Sequence, residues 1–156
     1  MKIAVIGYPG SGKRAMTEYL KNIFYCATLY LDDIDFPGES EERSLELKRE
    51  YVGSFMKDNI SWVIDGDGFD IDFEKRMEEA DRIVIMRRSR FFCLFNKFKE
   101  YSKQKEKTDM DTVRWILLES RSKERRKIYN QVMRKYYEKV IMIFNTKQLL
   151  MYRDLI

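Results

Sequence analysis

An α/β fold, with a parallel sheet covered by helices on both faces, is predicted by three observations. A glycine-rich segment, Gly7-Tyr8-Pro9-Gly10-Ser11-Gly12-Lys13, sits between a short β-branched run and a helical pattern. Four further apolar runs of strand length follow, separated by amphipathic stretches. Two of those runs, ending at Leu31 and Ile64, lead directly into aspartates. Such runs, apolar without alternation, suit strands buried on both faces, as a parallel sheet requires.

The first run, Lys2 to Ile6, is the first strand, and Arg14 to Asn22 carries Ala15, Met16, Tyr19 and Leu20 at helical spacing. The segment between them has the GxxxxGK pattern of a phosphate loop. Its glycines reach backbone angles that other residues avoid, so successive N–H groups converge on phosphate oxygens while the following helix adds its dipole. Gly7, Tyr8, Pro9, Gly10, Ser11, Gly12, Lys13 and Arg14 are therefore the candidate nucleotide-binding residues, with Lys13 meeting the β- and γ-phosphates. The pattern expects a Ser or Thr after the lysine as a magnesium ligand, and this chain has Arg14-Ala15. Arg14 is expected either beside the phosphates as a fixed cation or paired with Glu18, four residues on.

Ala27 to Leu31 is the second strand and ends in Asp32-Asp33-Ile34-Asp35. The carboxyl edge of an open α/β sheet is where ligands bind, so Asp32 is a candidate for holding magnesium through water or accepting a proton, and Asp33 or Asp35 for meeting an acceptor hydroxyl. Glu39 to Lys57 reads as an amphipathic helix capped by Ser40, with Gly53 its weak point. Trp62 to Gly66 is a third strand ending in Asp65, placed as a Walker-B-type acid that orients a magnesium-bound water. Gly66, Asp67 and Gly68 let an acceptor approach the backbone closely. A short helix from about Asp70 to Ala80 and a fourth strand, Arg82 to Met86, follow.

The charge changes at Arg87. Residues 87–139 hold 17 Lys or Arg and 7 Asp or Glu, a net +10 within a chain of net +4. Phe91, Leu94, Phe95, Phe98 and Tyr101 fall on one helical face, expected to be core, with a base-stacking surface as the alternative. Lys103 to Asp111 is expected to be a loop, and a single long helix is expected from about Thr112 to Tyr137, from which Arg121 and Arg125 project together, either to meet a phosphate or as part of a solvated charged face. Lys139 to Phe144 and Lys147 to Ile156 give a fifth strand and a closing helix.

Length and composition bound the function. A chain of 156 residues, 44% apolar and 36% charged, is expected to form one globular domain over 1–156. Cys26 and Cys93 are far apart with no metal-ligand spacing and read as buried free thiols in a cytoplasmic protein. No run is long enough to span a membrane. The absence of histidine excludes Ser-His-Asp and Cys-His nucleophile systems, whereas phosphoryl transfer needs only positioning, cations and an aspartate.

Together, GYPGSGKR, LDDIDF, WVIDGDGFDIDFEKRMEEAD, RSRFFCLF and WILLESRSKERRKIY resemble a bacterial family of P-loop proteins labelled DNA topology modulation proteins, or FlaR, over nearly the whole chain. The resemblance implies a branch of the adenylate and shikimate kinase group: a P-loop three-layer sandwich with a five-stranded parallel sheet, an acceptor-binding insert at about 33–60 and a lid at about 87–126. It implies ATP and Mg2+ as cofactors, Gly7 to Lys13 on the nucleotide phosphates, Asp32 and Asp65 flanking the transferred phosphoryl, and Arg90, Arg121 and Arg125 on the lid side. Family members carry Ser-Thr where this chain has Arg14-Ala15, and more arginines where it has Asn96 and Lys97. The expected activity is a small-molecule or nucleotide kinase, with a non-catalytic nucleotide binder or a weak nucleic-acid binder as alternatives. The acceptor, the base preference and the oligomeric state are not legible.

Overall fold

The structure, a computed structural model, describes residues 1–104 and 110–155. Five parallel strands, β1 (Lys2–Gly7), β2 (Ala27–Tyr30), β3 (Trp62–Asp65), β4 (Arg82–Met86) and β5 (Val140–Ile143), form one sheet in the order β2-β3-β1-β4-β5. Among the described residues seven helices lie between and after them: α1 (Lys13–Phe24), α2 (Glu41–Asp58), α3 (Phe73–Glu79), α4 (Arg90–Gln104), α5 (Met110–Leu117), α6 (Lys123–Lys135) and α7 (Thr146–Leu155). Ile3, Ala4, Val5 and Ile6 of β1 are fully buried, as are Ile83, Val84 and Ile85 of β4. Each such valine or isoleucine side chain stabilises the fold by about 2 kcal/mol relative to exposure.

Contacts divide the chain into two compact units. One holds Met1–Ile6 and Arg14–Ile83, the other Gly7–Lys13 and Val84–Ile156. In the first, β3 pairs with β1 and with β2, so that Asp65 lies opposite Val5 on one side and Tyr30 on the other. Ser40 caps α2 by accepting from the Arg43 N–H at 3.3 Å, and the helix passes through Gly53 unbroken.

The second unit differs from expectation in two places. The single helix predicted for 112–137 is instead α5, a 3-10 turn at Glu119–Arg121, and α6. Ser122 adopts an extended ψ of 158° and its Oγ accepts from the Arg125 N–H at 3.1 Å, so it caps a new helix rather than continuing the old one. The aromatic stripe of α4 is the second correction. Phe91 and Phe95 are 83% and 67% exposed and Phe98 is 44% exposed, while Cys93 between them is fully buried. Tyr101's side chain lies outside the described residues. Of the predicted loop at 103–111, Lys103 and Gln104 close α4, and Met110 and Asp111 open α5; residues 105–109 lie outside the description.

Candidate functional site

The glycine-rich loop belongs to the second unit and is held by that unit's backbone. Gly7 has φ +143°, and a Cβ there would stand 2.3 Å from the Met86 carbonyl oxygen. The neighbouring Tyr8 N–H donates to that same oxygen at 3.1 Å. Gly10, at φ +71°, would press a Cβ to 2.4 Å from the Cys93 oxygen on α4. Only glycine permits either approach. The Asn96 side chain, also on α4, donates to the Gly10 carbonyl at 3.1 Å, and Lys13 Nζ donates to the Gly7 carbonyl at 3.1 Å. Carbonyls thus satisfied fix the peptide planes, and α1 begins at Lys13 with first-turn amides that have no intrahelical acceptor. Ser11 is buried, and its Oγ has no partner among the described residues. A cradle closed to any side chain, an orphaned hydroxyl and a lysine at a helix start fit the phosphates of a nucleotide.

Arg121 joins this loop. Its guanidinium covers the Tyr8 ring at 4.0 Å, and it donates to the Arg88 carbonyl at 2.6 Å and the Cys93 sulfur at 3.5 Å. The opposing constraint on Tyr8 is Tyr129, packed edge to face at 5.5 Å. Burial raises the Cys93 thiol above its ordinary range, with Arg121 acting in the opposite sense, so the sulfur stays protonated. Arg125 is half-buried in the first turn of α6, so it does not share one helix with Arg121 as the i, i+4 spacing predicted. Arg90 is exposed at the start of α4. The buried arginine of this segment is Arg88 instead: its Nη2 donates to Thr146 Oγ1 at 2.7 Å, it covers Phe92 at 3.8 Å, and desolvation lowers its pKa.

In the first unit the acids are arranged around β2 and β3. Asp65 is buried at the end of β3, and the Gly66 N–H donates to the Val5 carbonyl at 3.0 Å. Asp32 and Asp33 lie in a 3-10 turn following β2, both exposed; Asp35, also exposed, accepts from the Phe36 N–H at 2.9 Å. Arg14 pairs with Asp33 and lies over the Tyr30 ring at 4.4 Å; of the two expected alternatives, this replaces the pair with Glu18. Glu18 meets the Tyr30 hydroxyl and Lys21 instead, and the Tyr30 hydrogen bond is the main cause of its lowered pKa.

Gly66 and Gly68 also have a steric cause within the fold. A Cβ at Gly66 would stand 2.9 Å from Leu31 Cβ, and one at Gly68 2.7 Å from Leu31 Cδ1. The carbonyls of this turn converge on Arg76 of α3, which is fully buried. Its guanidinium donates to Ile71 O at 3.0 Å, Gly66 O at 3.2 Å, Asp67 O at 2.6 Å and Gly68 O at 2.7 Å. Burial lowers its pKa to about 10, opposed by Asp67, Asp72 and Asp70, so it remains charged at neutral pH. Arg76 and Arg88 were not singled out by the sequence, and Asn96 was noted only as standing where the family carries arginine. Arg76 had a signal: it shares the i, i+3, i+4, i+7 face of Phe73, Met77 and Ala80, where a solvated arginine does not belong.

A magnesium ion finds less support. Neither position 14 nor 15 supplies a hydroxyl, and no cluster of three acids, cysteines or histidines among the described residues suits a metal. Thr17, one turn after Lys13, is fully buried, and its Oγ1 has no partner among the described residues. Asp32 and Asp65 remain the carboxylates that could hold a hydrated ion through water.

No family model matches this sequence, and no curated protein matches it. Solved structures do. The chain is similar to the shikimate kinase from Acinetobacter baumannii in complex with shikimate, with 15% identity, 99% of this chain and 87% of that one covered, and a TM-score of 0.60. It is also similar to the shikimate kinase from Aquifex aeolicus, with 17% identity, 99% and 96% coverage, and a TM-score of 0.53. At these identities the likeness shows the fold alone: an α/β fold with a five-stranded parallel sheet, shared with those two structures. Among the described residues no helix is long and apolar enough to cross a membrane.

Proposed function

We propose that this protein is an ATP-dependent kinase that transfers the γ-phosphoryl group to a hydroxyl or phosphate acceptor on a small molecule or nucleotide, in a branch of the P-loop kinases that includes the FlaR family. The observation that carries this reading is the loop itself: two glycines at positive φ against the Met86 and Cys93 carbonyls, with Lys13 at the start of the following helix. In the proposed reaction the acceptor oxygen bonds to the γ-phosphorus as the bond to the bridging oxygen breaks, releasing ADP. Asp65 or Asp32 takes the acceptor hydroxyl's proton, and Lys13, Arg121 and Arg125 offset the phosphoryl charge. Magnesium, held through water by Asp32 and Asp65, would add electrostatic stabilisation of the same oxygens. Asp33, Asp35, Gly66 and Arg90 serve the acceptor in this reading, and Arg14 acts through Asp33. Saturating ATP at about 100 times its dissociation constant adds roughly 2.7 kcal/mol of stability. A phosphoryl-transfer screen with ATP and magnesium tests the activity, and ATP that neither binds nor is consumed rejects it.

A second reading is favoured by one observation: Phe91, Phe95 and Phe98 are exposed in the segment of net +10. Exposed aromatics among cations suit stacking on unpaired bases. The kinase reading predicts weak, sequence-blind nucleic-acid binding that falls steeply with salt; tight duplex binding at physiological ionic strength would reverse the ranking.

A further inference from the structure

Tyr8 occupies the first variable position of the glycine-rich loop, and its single N–H is already spent. That N–H donates to the Met86 carbonyl at 3.1 Å, while the Tyr8 carbonyl accepts from the Ser11 N–H at 3.2 Å and from Lys13 Nζ at 3.5 Å. The backbone of Tyr8 therefore has no donor left for a phosphate oxygen. Its side chain, by contrast, is buried in the second unit and has two defined neighbours.

Both neighbours come from one stretch of chain. Arg121 ends the 3-10 turn before α6 and lays its guanidinium over the Tyr8 ring at 4.0 Å. Tyr129, fully buried on α6, meets the same ring edge to face at 5.5 Å. Ser122 caps α6 directly after Arg121, so the turn and the helix that carry these contacts are joined by one residue. The loop is thus registered on residues 119–129 through one aromatic side chain.

Arg121 is held there without being spent. Its Nη2 donates to the Arg88 carbonyl at 2.6 Å and to Cys93 Sγ at 3.5 Å, whereas Nη1 and Nε have no hydrogen-bond partner among the described residues. An aromatic face attracts a guanidinium without using any of its N–H donors, and more strongly where water is excluded. A carboxylate in the place of the ring would also hold Arg121, but it would cancel the charge.

We infer that Tyr8 is a positioning residue: its ring face fixes the Arg121 guanidinium beside the phosphate loop with donors unspent, so that ATP affinity depends on the ring through Arg121. The inference rests on the ATP-binding reading of the loop for its ligand, and on the geometry of Tyr8, Arg121 and Tyr129 for the role.

A double-mutant cycle on ATP affinity tests it, by calorimetry on the whole chain as wild type, Tyr8→Leu, Arg121→Ala and the double variant. Arg121→Ala should weaken ATP binding by about tenfold and Tyr8→Leu by about fivefold, and the double variant should stay near tenfold instead of the roughly fiftyfold of independent losses. Tyr8→Phe, which keeps the ring, should recover most of what Tyr8→Leu loses. Losses that multiply in the double variant would mean that Tyr8 shapes the loop directly, and they overturn the inference. So does a Tyr8→Leu protein that melts lower but binds ATP as tightly as the wild type, because the ring is then packing alone. A second measurement needs no substitution at the buried ring: the Arg121 Nε–H resonance of the wild type, assigned with Arg121→Lys, should shift as ATP saturates the protein. A resonance that stays in place while ATP binds also overturns the inference and leaves the reading of the loop intact. A wild type that binds no ATP removes both.

Discussion

The two units use positive charge in opposite ways. In the second unit, of 20 Lys or Arg and 8 Asp or Glu, Arg121 lies on an aromatic face and donates to a carbonyl and a sulfur, and Arg88 keeps one Nη without a partner among the described residues. In the first unit, rich in acid, Arg14 is consumed by a carboxylate and Arg76 by four carbonyls. A guanidinium with unspent donors and no carboxylate partner retains both charge and donors for a ligand; one whose donors are all spent on backbone, or whose charge is met by a carboxylate, contributes to the fold. The difference teaches that counting arginines near a strand edge does not identify an anion site. Their partners do.

The sharpest way to break this comparison is Arg76→Met. Four carbonyls lose their donor in a buried turn, which costs about 4 kcal/mol and lowers the melting temperature by roughly 8 to 16 °C. Thermal unfolding checks it; a loss under 2 °C would mean that water replaces the guanidinium and that its role is not structural. Next is Gly10→Ala, which forces a Cβ against the Cys93 carbonyl at a φ of +71°. The strain of about 1 to 3 kcal/mol is relieved only by moving the loop, so ATP affinity should fall at least about tenfold by calorimetry. Arg121→Ala should reduce kcat/KM for ATP by about tenfold, or about 1.4 kcal/mol, with a melting temperature changed by less than the Arg76 variant's. An Arg121→Ala protein that loses stability but not kcat/KM would place Arg121 with the structural arginines. The smallest effect belongs to Arg14→Ala: its pair with Asp33 is exposed, so stability should change by only about 0.5 kcal/mol and ATP affinity by less than twofold.

Much of the fold was legible because each strand is a continuous apolar run and each junction carries a marker. Lys2 to Gly7 and Arg82 to Met86 were read almost to the residue, and the Ser40 cap was recognised from its type and place. The loop was legible because its glycines have a steric cause, now visible as the Met86 and Cys93 carbonyls. What escaped depends on contacts distant in sequence. The stripe at Phe91, Phe95 and Phe98 has helical period, but period reports which residues share a face, not which face is covered. The covered face of α4 carries Cys93 and Asn96, small enough for backbone to meet the loop. Ser122 could extend a helix or cap one, and the chain cannot announce which until Arg125 supplies the N–H. Arg14 was weighed against its i+4 neighbour, and its partner lies 19 residues away.

The central claim is that the loop of the second unit binds nucleotide phosphates through its own backbone and Lys13. Thermal unfolding of wild type and Lys13→Ala with saturating ATP, with magnesium and with a chelator, tests it most directly. The wild type should rise by about 5 to 10 °C, and Lys13→Ala should lose most of that rise while unfolding at a similar temperature without ligand. An unchanged wild-type melting temperature at saturating ATP, or an equal rise in both proteins, would contradict it.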